Sequence, residues 1–216
     1  MARSAMLGRF LALWVAVLFL APWTGAQAGW FSRDDRERLQ SYKGPDAGRL
    51  VVSLGAYQGA GYEVYRLYFR TRDKSKMAEI KYTADVSFLN PSGGDYSDDI
   101  KAGDVAVWEL APGDYEFYNF ELYYGNGLVE KTYSSQEDFS IPFTIKPGKT
   151  LYLGEFRAME QGSGFGATPG RPKFQIFDEH ARDLPIAKRK DPLVGEPEIL
   201  VPYPAAINSP FFERLP

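Results

Sequence analysis

Ile80-Lys81-Tyr82-Thr83-Ala84-Asp85-Val86-Ser87-Phe88 alternates apolar and polar side chains without a break. Successive side chains of a pleated strand project to opposite faces, so this stretch reads as a β-strand with one face on a core and one in water. A sheet buried on one side in this way is characteristically antiparallel. Phe139-Ser140-Ile141-Pro142-Phe143-Thr144-Ile145-Lys146 repeats the pattern. Pro142 has no N–H to give a ladder, which puts this second strand at a sheet edge or a bulge.

Between these two segments the alternation changes phase once. Tyr115 and Phe117 are apolar at odd positions, after which Tyr118, Phe120, Leu122 and Tyr124 take over at even ones. One extra residue near Tyr118, a β-bulge, reconciles the two halves. Further β-branched and aromatic runs at 50–57, 62–70, 105–110, 150–158 and 172–177 read as strands. Ala111-Pro112-Gly113-Asp114 and Lys146-Pro147-Gly148-Lys149 have the chemistry of type II turns, and each leads into an aromatic strand, so both are expected to join neighbouring strands of one sheet. Gly- and Asp-rich 90–104 and Gly-rich 161–170 read as surface loops.

Residues 178–190 suit a short helix with Asp183 as its cap, Pro185 in its first turn and Lys188-Arg189-Lys190 at its C-terminus; Asp191-Pro192 would end it. Six prolines follow from Pro192 on, so the remainder is extended, with 198–201 able to add an edge strand. Roughly seven to nine short strands with few helices imply an all-β, antiparallel β-sandwich of immunoglobulin-like type, with minor helical segments and an extended proline-rich C-terminal tail. A closed barrel is the alternative.

The N-terminus speaks to compartment. Arg3 and Arg9 precede or open an apolar run at 10–21, and Ala26-Gln27-Ala28 follows. These are the parts of a secretory signal, with cleavage expected between Ala28 and Gly29. As a helix the run rises about 18 Å against a hydrocarbon core of about 30 Å. An uncleaved N-terminal anchor, with Trp23 and Trp30 at the interface, is the alternative. Residues 29–48 form a polar lead-in in which Ser32 would cap a short helix ending near Leu39, 49–178 the sandwich, and 179–216 the helix and tail. No later segment suits a membrane span. There is no cysteine, which excludes disulfides, thiolate chemistry and lipidation at cysteine. The net charge is −3 and becomes more negative when the leader leaves, which argues against a nucleic-acid partner.

Pro112-Gly113-Asp114-Tyr115-Glu116-Phe117, the stretch from Phe139 to Lys149, and Tyr152-Leu153-Gly154-Glu155-Phe156 carry a resemblance. The pattern resembles uncharacterised proteobacterial envelope proteins and the transthyretin-like or carboxypeptidase-regulatory-like sandwich domains, in which a Pro-Gly turn leads into an aromatic strand. It covers about half the chain left by the leader, at 105–158, and implies an extracytoplasmic accessory or binding domain with no catalytic residues.

Side chains capable of chemistry are few. His180 is the single histidine, which excludes a multi-histidine metal site. Gly148-Lys149-Thr150 lacks the glycine and the helix of a phosphate loop, and Gly162-Ser163-Gly164-Phe165-Gly166 is followed by prolines instead of a helix. Asp95, Asp98, Asp99 and Asp104 form an oxygen-rich loop that suits calcium, although without the spacing of an EF-hand; no other cofactor is indicated. Fourteen tyrosines and fifteen phenylalanines line a core or, if Tyr57, Tyr62, Tyr96, Tyr123, Tyr124 and Tyr133 gather on one face, offer a stacking surface for sugar or peptide. The expectation is a non-catalytic periplasmic or secreted domain that binds or supports another envelope protein or glycan. A carbohydrate-binding module is the alternative, and an envelope hydrolase the third reading.

Overall fold

The computed structural model describes residues 37–84, 94–163 and 169–213. The leader, its Ala28/Gly29 junction, the Ser32 cap, the second half of the 80–88 strand and the tip of the Gly-rich loop lie outside the described residues. The strands are β1 (Glu37–Arg38), β2 (Gly48–Tyr57), β3 (Val64–Thr71), β4 (Lys76–Thr83), β5 (Tyr96–Ser97), β6 (Lys101–Leu110), β7 (Gly113–Gly125), β8 (Glu130–Ser134), β9 (Ile141–Ile145), β10 (Thr150–Ser163), β11 (Pro169–Phe177) and β12 (Pro197–Ile199), with one α-helix, α1 (His180–Lys190). They build two sheets. The first has the order β1-β4-β3-β7-β8 with β9 also on β7; the second has the order β11-β10-β2-β6-β5 with β12 also on β10.

The all-β, sandwich-like reading holds, but both sheets are mixed. β2 and β10 pair in parallel at the centre of the second sheet, β12 joins β10 in parallel, and β1 joins β4 in parallel. The cause is visible in composition. Leu50-Val51-Val52-Ser53-Leu54 and Leu151-Tyr152-Leu153 do not alternate, because these central strands are covered on both faces, as strands of parallel pairs usually are. Leu50, Val52 and Leu54 enter the large core between the sheets, whereas Val51, Val105 and Tyr152 pack beneath Ile186, Ala187 and Val194 on the other side.

Alternation decides the one-sided strands. Ala78, Ile80 and Tyr82 of β4 are buried beside Tyr65, Leu67 and Phe69 of β3. β9 alternates buried and exposed residues and pairs with β7, with Pro142 pointing out, as its missing N–H requires. The phase change in β7 is a bulge: Phe69 pairs with Phe117 and Tyr68 with Asn119, leaving Tyr118 over.

Four local expectations are corrected. The two Pro-Gly turns join different sheets, since β6 lies in the second and β7 in the first, and β9 in the first and β10 in the second. The Tyr115 hydroxyl donates to the Ala111 carbonyl at 2.8 Å, tying the first corner together. Of the presumed loop 90–104, the described part is a hairpin in which Tyr96 pairs with Gly103. Gln161, expected in a loop, belongs to β10, whose pairing with β11 runs on as far as Ser163 and Pro169. The expected helix before Leu39 gives way at Glu37 to a strand, whose Leu39 N–H reaches the Met77 carbonyl at 2.7 Å; with one apolar residue to bury, the backbone gains more from the open edge of β4.

The C-terminal tail lies over the domain as its composition suggests. Phe211 and Phe212 close one side of the sandwich, Phe212 meeting Phe139 of the first sheet's side and Phe156 and Phe174 of the second. β12 supplies the expected edge strand.

Candidate functional site

Most of the buried charge of the second sheet sits under α1, and a bulge puts it there. On β10 two residues, Leu153 and Gly154, oppose the single Val52 of β2, with Gly154 at φ +91°. The extra residue turns Glu155 to the helix side, next to Ser53, instead of into the apolar core. A Cβ at Gly154 would stand 2.8 Å from the Phe177 carbonyl oxygen, so the position requires glycine twice over.

Glu155 and Asp183 are both fully buried. Glu155 accepts from the Tyr96 hydroxyl at 2.8 Å, from Arg157 Nε at 3.0 Å and Nη2 at 2.6 Å, and from Arg182 Nη2 at 3.2 Å. Asp183 accepts from the Tyr152 hydroxyl at 2.8 Å, from Arg182 Nε at 2.7 Å and from the Ser53 hydroxyl. Glu179 closes the network by accepting from Lys101 and, at 2.9 Å, from Arg157. The guanidinium of Arg182 lies 3.5 Å from the Tyr96 ring centroid, and that of Arg157 3.9 Å from Phe177.

The electrostatics follow from this packing. Burial raises the Asp183 carboxyl above its ordinary range, against the pull of Ser53, Arg182 and Tyr152. Burial and the neighbouring carboxylates push the phenols of Tyr96 and Tyr152 far up, so both are hydrogen-bond donors and neither is a base. Burial opposes the charge of Glu179, but Lys101, Arg182 and Arg157 outweigh it and hold the carboxyl below its usual range. Ser53 gives its proton to a carboxylate with no imidazole in the network, so this constellation is a clamp for the helix and not an activated nucleophile. His180 sits exposed at the start of α1, its Nδ1 2.7 Å from Asp178.

Asp183 is therefore not the helix cap. α1 starts three residues before it, with Glu179 at the cap position and the Glu179 N–H donating to the Tyr152 hydroxyl at 3.1 Å. Pro185 lies inside the helix, past the first turn.

The aspartates proposed for calcium serve separate purposes. Asp95 accepts from the Val105 N–H at 2.7 Å and from Lys190, Asp104 accepts from the Asp95 N–H at 3.0 Å, and Asp98 accepts from the N–H groups of Ile100 and Lys101 at the hairpin tip. Asp99 is exposed. Burial, then the charge of Asp95, raises the Asp104 carboxyl. Among the described residues no three His, Asp or Glu side chains converge on one point.

The six tyrosines do not share a face either. Tyr62 is in the core, Tyr57 and Tyr96 lie against Arg157 and Arg182, and Tyr123, Tyr124 and Tyr133 are on β7 and β8. Ser53, Tyr152, Glu155, Arg157 and Arg182 escaped sequence reasoning. The signal was present in Glu155-Phe156-Arg157, two charges on one face of an otherwise apolar strand.

An open cleft of about 520 Å³ lies at the seam between β9 of the first sheet and β12 of the second. Its floor is Leu151 with the stacked rings of Tyr115 and Phe143, 5.6 Å apart. Its walls carry the Lys146–Glu198 ion pair at 2.6 Å and the Thr144 hydroxyl donating to Asp114 at 2.7 Å; Leu200, 47% exposed, overhangs it. The volume falls in the usual range for ligand sites, and an apolar floor with a few polar walls is the usual lining. Among the described residues no helix is long and apolar enough to cross a membrane.

No family model matches the chain, and no curated protein does. A leucine-rich repeat protein from Bacteroides thetaiotaomicron of known structure is similar over 52% of this chain at 11% identity, with a TM-score of 0.32; the similarity spans 14% of that protein's length.

Proposed function

We propose that this chain is an exported, non-catalytic β-sandwich that holds another component of the cell envelope in the cleft between β9 and β12. The observation that carries the reading is the cleft itself, whose aromatic floor of Tyr115 and Phe143 opens to solvent at the seam of the two sheets. The leader-like N-terminus supports export. The buried acids and bases under α1 support the non-catalytic part, because they are consumed in holding the helix. An extended polypeptide suits such a seam, with apolar side chains on the floor and its backbone between the Thr144 and Lys146–Glu198 walls.

A photo-activatable side chain placed at Leu200, and a second at exposed Lys81 on the outer face of the first sheet, tests this in cells that make the protein. Adducts are expected from position 200 and not from 81. No adduct from position 200, or the same adducts from both, contradicts the reading.

A further inference from the structure

The hairpin between β7 and β8 ends in a crest of two apolar side chains: Leu128 is 93% exposed and Val129 is 44% exposed. A lone exposed leucine is ordinary and carries no meaning. This crest differs in how its backbone is arranged. The Asn126 side-chain oxygen accepts from the N–H groups of both Leu128 and Val129, at 3.0 and 2.8 Å, while the Asn126 N–H donates to the Val129 carbonyl at 3.1 Å. Gly127 supplies the φ of +80° that the turn needs. The main cost of carrying a loop out of water is its unpaired backbone, and here three donors are paired within the turn.

Behind the crest stand Tyr123, Tyr124 and Tyr133, all half-buried. The Tyr123 ring folds towards the tip across Gly125, where a Cβ would meet its hydroxyl at 2.6 Å, and Lys131 lies 4.7 Å from the Tyr133 ring centroid. Apolar crest, amphipathic tyrosines one step back, then charge: this is the order of groups met on leaving an acyl layer for water. We propose that Leu128 and Val129 insert into the boundary between headgroups and acyl chains of a lipid bilayer, with Tyr123 and Tyr124 at the interface. A convex tip with a self-satisfied turn can wedge into lipid without a complementary pocket.

The charged groups flanking the tip, Glu63 and Glu130 beside Tyr123, and Lys131, are of mixed sign. The contact is therefore apolar and does not depend on anionic lipid. It is independent of what the cleft binds. The 13 residues of β7 put the tip about 40 Å from the Gly113 corner beside the cleft, so a docked tip leaves the cleft facing away from the bilayer.

The absence of cysteine makes a local test available in the full chain. Leu128→Cys carrying an environment-sensitive apolar fluorophore is mixed with phosphatidylcholine vesicles containing a nitroxide lipid, and Lys149→Cys, in the turn at the far end, is the control. Blue-shifted, quenched emission is expected at 128 and not at 149, alike with anionic lipid added and at raised salt. Val129→Asp in the labelled chain should lower the quenched fraction at least about ten-fold, with an unchanged thermal midpoint. The proposal is overturned by a label at 128 that stays water-like on vesicle-bound chain, by equal quenching at 149, by loss of the signal at raised salt, or by a chain that does not associate with vesicles. Shielding at 128 by a protein fraction but not by lipid would assign the tip to a protein and overturn it too.

Discussion

Arg70 and Glu116 lie on the outer face of the first sheet, where side chains normally meet water, and yet both are buried. Arg70 donates to Glu116 at 2.8 Å and to Asp138 at 2.7 Å and lies 4.1 Å from the Tyr118 ring centroid, while Ser140 donates to Glu116 at 2.7 Å. The pair pins the connection from β8 to β9 across the sheet. Burial opposes ionisation of Glu116, but Ser140, Arg70 and Arg72 outweigh it and hold the carboxyl below the ordinary 4.5. Its folded pKa is depressed, so its contribution to stability is present above pH 4.5 and is lost as pH falls through the folded value. Glu116→Gln should cost about 3–5 kcal/mol at neutral pH by leaving Arg70 partly uncompensated. In chemical denaturation the gap to the parent should shrink below pH 4.5, and a gap independent of pH would contradict this account. Asp183 has the opposite sign: its raised pKa favours the folded state below the ordinary 3.8, and that contribution is lost as pH rises through the folded value. At this scale the sequence revealed the bulge at Tyr118, because a phase change needs only neighbours. It did not reveal why Arg70 and Glu116 are buried, because their cover comes from residues some twenty to seventy positions away.

Helix α1 shows how far an element can be read locally. Its extent, its closing basic triplet and its end at Asp191 follow from residue type. Its partner does not: Asp183, read as a cap because Pro185 fits a first turn, faces Ser53 and Tyr152 from inside the helix. Asp183→Ala leaves two hydroxyls and the Arg182 guanidinium without their acceptor beneath the helix, a loss of about 3–5 kcal/mol. Hydrogen exchange should then quicken in α1 more than in β3 of the opposite sheet. Equal acceleration in both would mean that the network does not hold the helix specifically. β8 passed unnoticed for a simpler reason. Glu130-Lys131-Thr132-Tyr133-Ser134 has one large apolar side chain, and its pairing with β7 is a matter of backbone, not of pattern.

Across the whole molecule, two covered sheets explain what the local patterns left open. Strands that alternate belong to faces with water on one side; β2 and β10 do not alternate because core lies on one side and α1 on the other. Once both faces are buried, parallel pairing follows naturally, since the Pro-Gly corners send the chain from sheet to sheet instead of turning it back along its neighbour. The same corners leave the seam at which the cleft opens, and the bulge in β10 places the network that keeps α1 in position. The parallel register of β2 with β10 therefore carries the architecture and the placement of the cleft. Backbone nuclear Overhauser contacts between these strands test it most directly. The partner of each β2 residue should climb along β10, from Arg49 with Thr150 to Ala56 with Ala158. Partners that descend along β10 as β2 ascends would contradict it.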